Sequence, residues 1–422
     1  MTTVFILHNQ EEASMKYSIS KVDCVTETGM RKNVSVLVEE GRVTSLSETA
    51  AENFNMTESY YLYPALINVH DHLRGDYLPK VGPPEDSYYL NWSFWDNDLK
   101  SSGLYEERSN VSALDCYYLG AYKNILSGVA RVNDHFPHEM NKEFLPLMPL
   151  DVIEEYTLAH ECSSYDLGWG EGMEEEHGKA VKLGQPFITH LEEGFDMESQ
   201  DGIGILKKSG CLDYHDVLIH CIGFSGQDIL DTRDAGANIG WCPVSNMFMF
   251  NVTCKIQKIL ESGINVSLGT DSTATGAVNL LEEMRAAEYY FRRMYGKALE
   301  PRLAFRMVTE NPARAFLMEE KTGTIREGKQ ADLLLIKPRK EDCFEALLSA
   351  QIEDVALLTC DGEPLYGDRV FLPLFSTYTG EYTEVSIRGR KKLVKGDPAA
   401  LLRRIRKAVG FEKSFDFMPI DI

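Results

Sequence analysis

The sequence predicts an α/β fold, a (β/α)8 TIM-type barrel with a small β-sandwich domain formed from both chain ends. Three observations carry it. The chain has 422 residues with 44% hydrophobic and 10% aromatic side chains, enough for one large core and more than one small domain needs. Short runs rich in Val, Ile and Thr, punctuated by Gly, occur near both ends. Between them, short apolar runs alternate with stretches of helical spacing, the sequence form of a βα repeat on a parallel sheet.

Near the N-terminus, YSISKVDCV, the turn TETGM, NVSVLVEEG and RVTSLSE read as small antiparallel strands with Gly29 and Gly41 at turns. KTGTIREGKQADLLLIKP and DVALLTCDGEPLYGDRVF repeat that texture near the other end, so residues 1–63 and 319–390 are expected to share one β-sandwich. Residues 64–318 supply eight candidate barrel strands: ALINVH, VARVNDHF, LPLMPLDVI, TLAHE, PFITHL, VLIHC, NIGWCP and NVSLGTDS. Helices are expected at EMNKEF in part, EEEHGKAVKLG, DILDTRDAG, CKIQKILESG and LLEEMRAAEYYFRRMYG, several ending at a Gly suited to a left-handed cap. In residues 391–422, DPAALLRRIRKAVG opens with Asp and Pro and is amphipathic, which predicts a helix packing back on the body.

Charge and cysteine usage narrow the partners. Against 65 Asp and Glu stand 43 Lys and Arg, a formal charge of −22 that repels nucleic acid and anionic membranes. The nine cysteines, scattered from Cys24 to Cys360 without a CxxC pair, fit a reducing compartment. No basic leader with a long apolar core opens the chain and no stretch approaches a spanning length, so a cytoplasmic protein acting on a small molecule is expected, with a homo-oligomer as the default assembly.

The chemistry gathers at the ends of the predicted strands. His70 and His72 flank Asp71, and alternate strand residues point to one side, so both imidazoles can reach one ion. PFITHLEEG places His190 after an apolar run, VLIHC does so for His220 and NVSLGTDS for Asp271. Active sites of such barrels lie at the C-terminal ends of the strands. Four strands delivering His or Asp to one rim would be costly to desolvate without a cation.

These motifs, in this order, resemble the amidohydrolase superfamily: PALINVHDHL its PGxxNxHxHL opening, HLEEG its HxxE, IHC its HC, WCPVSN its CPxSN, LGTDS its LGTDS, and GTIREGKQADLLLIKP its GxIxxGxxADLxxxD. The resemblance spans roughly residues 20–370 and is nearest to the cytosine, guanine and S-adenosylhomocysteine deaminases and the triazine chlorohydrolases. It implies that His70, His72, His190 and Asp271 hold one divalent ion, with zinc first and iron second. It also implies that Glu193 shuttles protons, that His220 holds or polarises the attacking water, and that Asp271 acts with it. Two departures stand out: Gly223 occupies the place of a second His after HC, and Glu192 precedes Glu193, so the shuttle rests on spacing alone. Three neutral imidazoles and one carboxylate leave an ion positively charged with an open position. VIEEYTLAHE lacks the lysine that bridges two ions in binuclear relatives, which implies a single ion.

Other residues carry two readings each. His135 and His160 either line a substrate pocket or are satisfied structural histidines, whereas His138 and His177 sit in polar contexts and are expected to be exposed. Tyr88, Tyr89, Trp92, Phe94 and Trp95, in a long loop after the first barrel strand, either stack on a planar ring or pack the loop onto the rim. Cys242 has no base at informative spacing and is expected to be structural, and Asp71 is expected behind the ligands. Hydrolytic deamination of a small, heterocyclic nitrogenous compound is the leading expectation. Amide or C–Cl hydrolysis is the alternative, and an inactive scaffold of the same fold comes last.

Overall fold

The computed structural model describes residues 3–7, 15–26, 29–47, 53–56 and 58–421. Glu27 and Thr28 of the expected TETGM turn, Glu48 at the end of RVTSLSE and most of residues 1–14 lie outside them.

Eight parallel strands lie in two sheets. The first holds β1 (Leu66–Asp71), β2 (Val129–Asp134) and β3 (Asp151–Val152). The second holds β4 (Thr157–Glu161), β5 (Phe187–Leu191), β6 (Asp216–His220), β7 (Asn238–Trp241) and β8 (Val266–Leu268). Each falls within or overlaps one of the eight predicted runs. LPLMPLDVI is the poorest match: Pro146 leaves Leu145–Leu147 as a 3-10 turn and only Asp151–Val152 joins the ladder. Hydrogen bonds link the two sheets: the Asp271 N–H donates to the His70 carbonyl (3.1 Å), and the His135 ring donates to the Ala159 carbonyl (3.2 Å).

Apolar residues on alternate positions build the layer beneath the site. Leu158, Ile188, Val217, Ile219 and Val69 share one buried cluster, and His160 and His190 continue the inward parity of Leu158 and Ile188. The expected helices appear, including Met173–Leu183 and Leu280–Tyr295, capped by Gly184 and Gly296 at φ 66°, while Gly202–Ser209, Pro243–Phe250, Pro301–Arg306 and Glu310–Ala315 are helices the sequence reading did not name. Residues 92–101, read as loop, form a helix because Asn91 caps it, its side chain accepting the Ser93 N–H. Ala113–Leu126, capped by Ser112, was not anticipated.

Both chain ends enter one twelve-stranded sheet, in which Tyr61–Pro64 pairs with Leu333–Ile336, and Thr3–Leu7 with Gly380–Ile387. The boundary expected at 390/391 falls inside a strand, Arg390–Lys395, and Ile420–Asp421 also joins this sheet. The helix Pro398–Val409 packs near Ala113–Leu126, where Arg404 pairs with Asp115 (2.7 Å). Among the described residues no helix is long and apolar enough to cross a membrane.

Candidate active site

At the C-terminal ends of the parallel strands, His70, His72, His135, His160, His190 and His220 gather around Asp271. Ring centroids of His70 lie 4.8 Å from His72, 5.0 Å from His190 and 5.7 Å from His220. The Nε2 atoms of His72 and His70 are 3.6 and 3.9 Å from Asp271 Oδ1. Ligating atoms of His70, His72 and Asp271 fall within 4.8 Å of one another, as do those of His70, His135 and His190.

His70 decides whether an ion fits. It is fully buried, and neither ring nitrogen has a hydrogen-bond partner. Burial, then the neighbouring imidazoles of His72, His135 and His220, hold its pKa well below the ordinary value, so the ring is a neutral donor, as an ion requires. His190 is depressed likewise by burial and by His135, and its Nδ1–H donates to the His160 carbonyl (2.7 Å), which leaves Nε2 free. Burial alone would raise the Asp271 carboxyl. His72, His220, the Ser245 hydroxyl and the Ser272 N–H together hold it below the usual range, so it stays anionic.

Backbone strain sets two of these groups. Leu218 packs outward with the helices while Val217 and Ile219 face inward, so strict alternation would turn His220 away from the site. A left-handed backbone at His220 (φ 71°) and Cys221 (φ 52°) brings it in, and Asp271 has φ 54°. The His220 Nδ1–H donates to Asn246 Oδ1 (2.8 Å), and Asn246 Nδ2 donates to Thr253 (2.9 Å), which aims Nε2 at Glu193 Oε1, 3.6 Å away. Ser245 and Thr275 donate to Asp271 Oδ2 at 2.7 and 2.9 Å. WCPVSN thus shapes the site through Ser245 and Asn246, while Cys242 is fully buried with its thiol pushed far up by burial.

Glu193 and Glu192 part company. Glu193 lines the cavity, its pKa raised well above the ordinary value by burial, then by Asp271 and Glu161. Glu192, at φ 51°, turns to the Ile203 N–H (3.1 Å).

A cavity of about 450 Å3 opens above the cluster, lined by His72, His160, His190, His220, Glu193 and Asp271 with Trp92, Trp95, Phe136 and Trp169. Trp92 lies 4.5 Å from the His160 ring and donates to Glu161, and Trp95 Nε1 donates to the Val81 carbonyl (3.0 Å). The aromatic stretch is divided: Tyr89 is buried and donates to Asp98 (2.8 Å), whereas Tyr88 and Phe94 are exposed and line no wall. His135, expected as a possible wall residue, is fully buried behind His190 (4.4 Å) and does not line the cavity. Its seat between the two sheets, hydrogen-bonded to Asp71 and Ala159, takes it out of reach.

Three features escaped sequence reasoning. Trp169 stands on the wall from a loop, Arg74 from the 3-10 turn Leu73–Tyr77 and Arg108 from the short helix Leu104–Ser109. Lys123, on Ala113–Leu126, is fully buried and donates to Asp71 (2.9 Å), Asp76 (2.7 Å) and the Asp271 carbonyl (3.0 Å), tying β1 to the segment after β8. Asp71 accepts from Lys123, Asn68, Asn124 and the His72 N–H, and so stands behind the ligands as expected.

Residues 173–367 match the amidohydrolase family. The chain is 36% identical over 164 residues to a 5'-deoxyadenosine deaminase of Methanosarcina mazei, covering 36% of this chain and 38% of that protein. The enzyme of the same name from Methanosarcina acetivorans is 24% identical over 410 residues, 80% of this chain and 89% of that protein. The high-identity match thus spans well under half of its relative, and the near-full-length match is more distant. A solved zinc-bound adenosine deaminase from Xanthomonas campestris superposes with a TM-score of 0.72 at 17% identity, over 93% of this chain and 97% of that one, which shows a shared fold. Hydrolysis of carbon–nitrogen bonds other than peptide bonds, the enzyme class expected from the sequence, agrees with the family and with the relatives' names.

Proposed function

We propose that this chain is a metal-dependent hydrolase that replaces the ring amino group of an adenosine-type compound with oxygen, consuming water and releasing ammonia. The carrying observation is His70: a fully buried, neutral imidazole with two unpartnered nitrogens, within ion-sharing distance of His72 and Asp271. In this reading His70, His72, His190 and Asp271 hold one zinc ion. The eight parallel strands close as a (β/α)8 barrel over residues 64–318. The twelve-stranded sheet is the β-sandwich of residues 1–63 and 319–390, extended by Arg390–Lys395.

Bound there, an ion supplies Lewis acidity that lowers the pKa of water and polarises the attacked carbon. The protein residues do the rest. Glu193, whose carboxyl burial raises, takes one proton from the attacking water and gives it to a ring nitrogen, then takes the second from the new hydroxyl and gives it to the departing amine. His220, fixed by Asn246, orients that water beside Glu193. Trp92 and Trp169 flank a planar ring, and Arg74 and Arg108 offer positive charge to a polar or anionic substituent farther out.

Ammonia release from 5'-deoxyadenosine, S-adenosylhomocysteine, adenosine and guanine, before and after chelation, tests the reading. Release from an adenosine compound, lost on chelation and restored by zinc, is expected. No ammonia from any aminopurine, with turnover of an amide or a chlorotriazine, overturns it.

A further inference from the structure

A second cluster of ion-binding groups sits at the opposite end of the same strands. His177 lies on the helix Met173–Leu183, Asp213 in the segment before β6, and Asp216 is the first residue of β6, the strand that His220 ends. Four strand rises separate Asp216 from His220, about 13 Å. His177, expected to be exposed, is 5% exposed, and Asp216 is fully buried.

We propose that His177, Asp213 and Asp216 bind a second divalent cation, of the first-row kind that takes nitrogen and oxygen donors, with a structural role. His177 Nε2 is 3.6 Å from Asp213 Oδ1 and 3.5 Å from Asp216 Oδ1. Both distances exceed an N–H···O bond. A tetrahedral ion about 2.1 Å from each donor sets its ligands about 3.4 Å apart, so these are the separations of groups around an ion. The His72–Asp271 pair of the catalytic cluster shows the same 3.6 Å.

Two of the three donor atoms lack other partners. His177 Nε2 and Asp216 Oδ1 are buried with no hydrogen bond, and the three ligating atoms fall within 4.8 Å of one another. Asp216 Oδ2 is occupied by the Asp213 N–H (2.9 Å), leaving Oδ1 for the ion. Asp213 Oδ1 accepts the His215 N–H and contacts the His215 ring, both at 2.8 Å, which orients that carboxylate as an outer-shell histidine does. Among the described residues no lysine or arginine pairs with Asp213 or Asp216, and the two facing carboxylates, one fully buried, have only His177 and His215 beside them. The Asp213 side chain is 35% exposed, which provides a way in and a place for water as the fourth ligand. The ion would clamp the helix after β4 to the start of β6, on the barrel face associated with stability.

The test titrates chelator-stripped full-length protein with Zn2+, counting ions per chain by elemental analysis and following the melting temperature. Two ions per chain are expected. His177→Gln and Asp213→Asn should each hold one, with kcat/KM unchanged and a melting temperature below that of the zinc-loaded wild type by several degrees. A His72→Asn/His190→Asn double variant should lose the other ion and keep this one. Saturation of the wild type at one ion, or a count that His177→Gln leaves untouched, overturns the proposal. If His177→Gln does not fold, the count on Asp213→Asn decides, because that side chain lies at the surface.

Discussion

The two ends of β5 and β6 carry similar donors to different purposes. At the C-terminal end, His190 and His220 face a cavity of about 450 Å3 with aromatic walls, and a buried carboxyl, Glu193, stands 3.6 Å from His220. At the N-terminal end, Asp216 faces a helix, with His177 and Asp213 at comparable separations. The backbone differs too: Glu192, His220 and Asp271 have left-handed φ, whereas His177, Asp213 and Asp216 do not. Donor chemistry and spacing therefore suit an ion at either end. Strain, an open position and a proton carrier distinguish the end built for reaction.

That contrast can be pressed. Glu193→Gln should lower kcat about 10^2- to 10^4-fold with ion content unchanged, read by ammonia release and elemental analysis; loss of the ion would make Glu193 a ligand and blur the division. Lys123 is the buried cation that the upper end has and the lower lacks. Lys123→Met should destabilise by about 3–5 kcal/mol in urea melts because Asp71 and Asp76 are left uncompensated, and a change below about 1 kcal/mol would remove it as their counter-ion. Asn246→Ala frees the His220 ring and should cut kcat about 10- to 100-fold with folding intact by circular dichroism.

The smallest effect concerns pH. Burial pushes the Glu283 carboxyl, which accepts the Val244 N–H (2.9 Å) behind the site, up to about 8. With the folded pKa above the unfolded one, the neutral form favours folding. The contribution is full below the unfolded pKa and shrinks until pH passes 8, by about 2 kcal/mol between pH 6 and 8. Glu283→Gln should flatten that decline in pH-dependent melts. Lys80, lowered to about 8 by burial, acts oppositely above pH 8, so the wild-type curve should level there.

Much of this was legible without coordinates. Period-two apolar runs ending in His or Asp mark strands and the donors at their ends, because alternation and side-chain chemistry are local properties. The deaminase expectation, drawn from motifs in order, agrees with the family and the names of its relatives. The tertiary structure alone decided which way those donors face. His220 reaches the cavity against the parity of its strand, Glu193 rather than Glu192 lines the wall, and His135 sinks behind His190. His177 in EEEHGK has the sequence context of a solvated face, yet it is buried against Phe187 and the aspartates at the start of β6. Lys123 appears as one polar residue in an amphipathic helix and becomes the centre of a buried charge network. In each case the deciding partner lies tens to hundreds of residues away. Burial and charge compensation are set by such long-range contacts, while element type and donor identity are set by near neighbours in the chain.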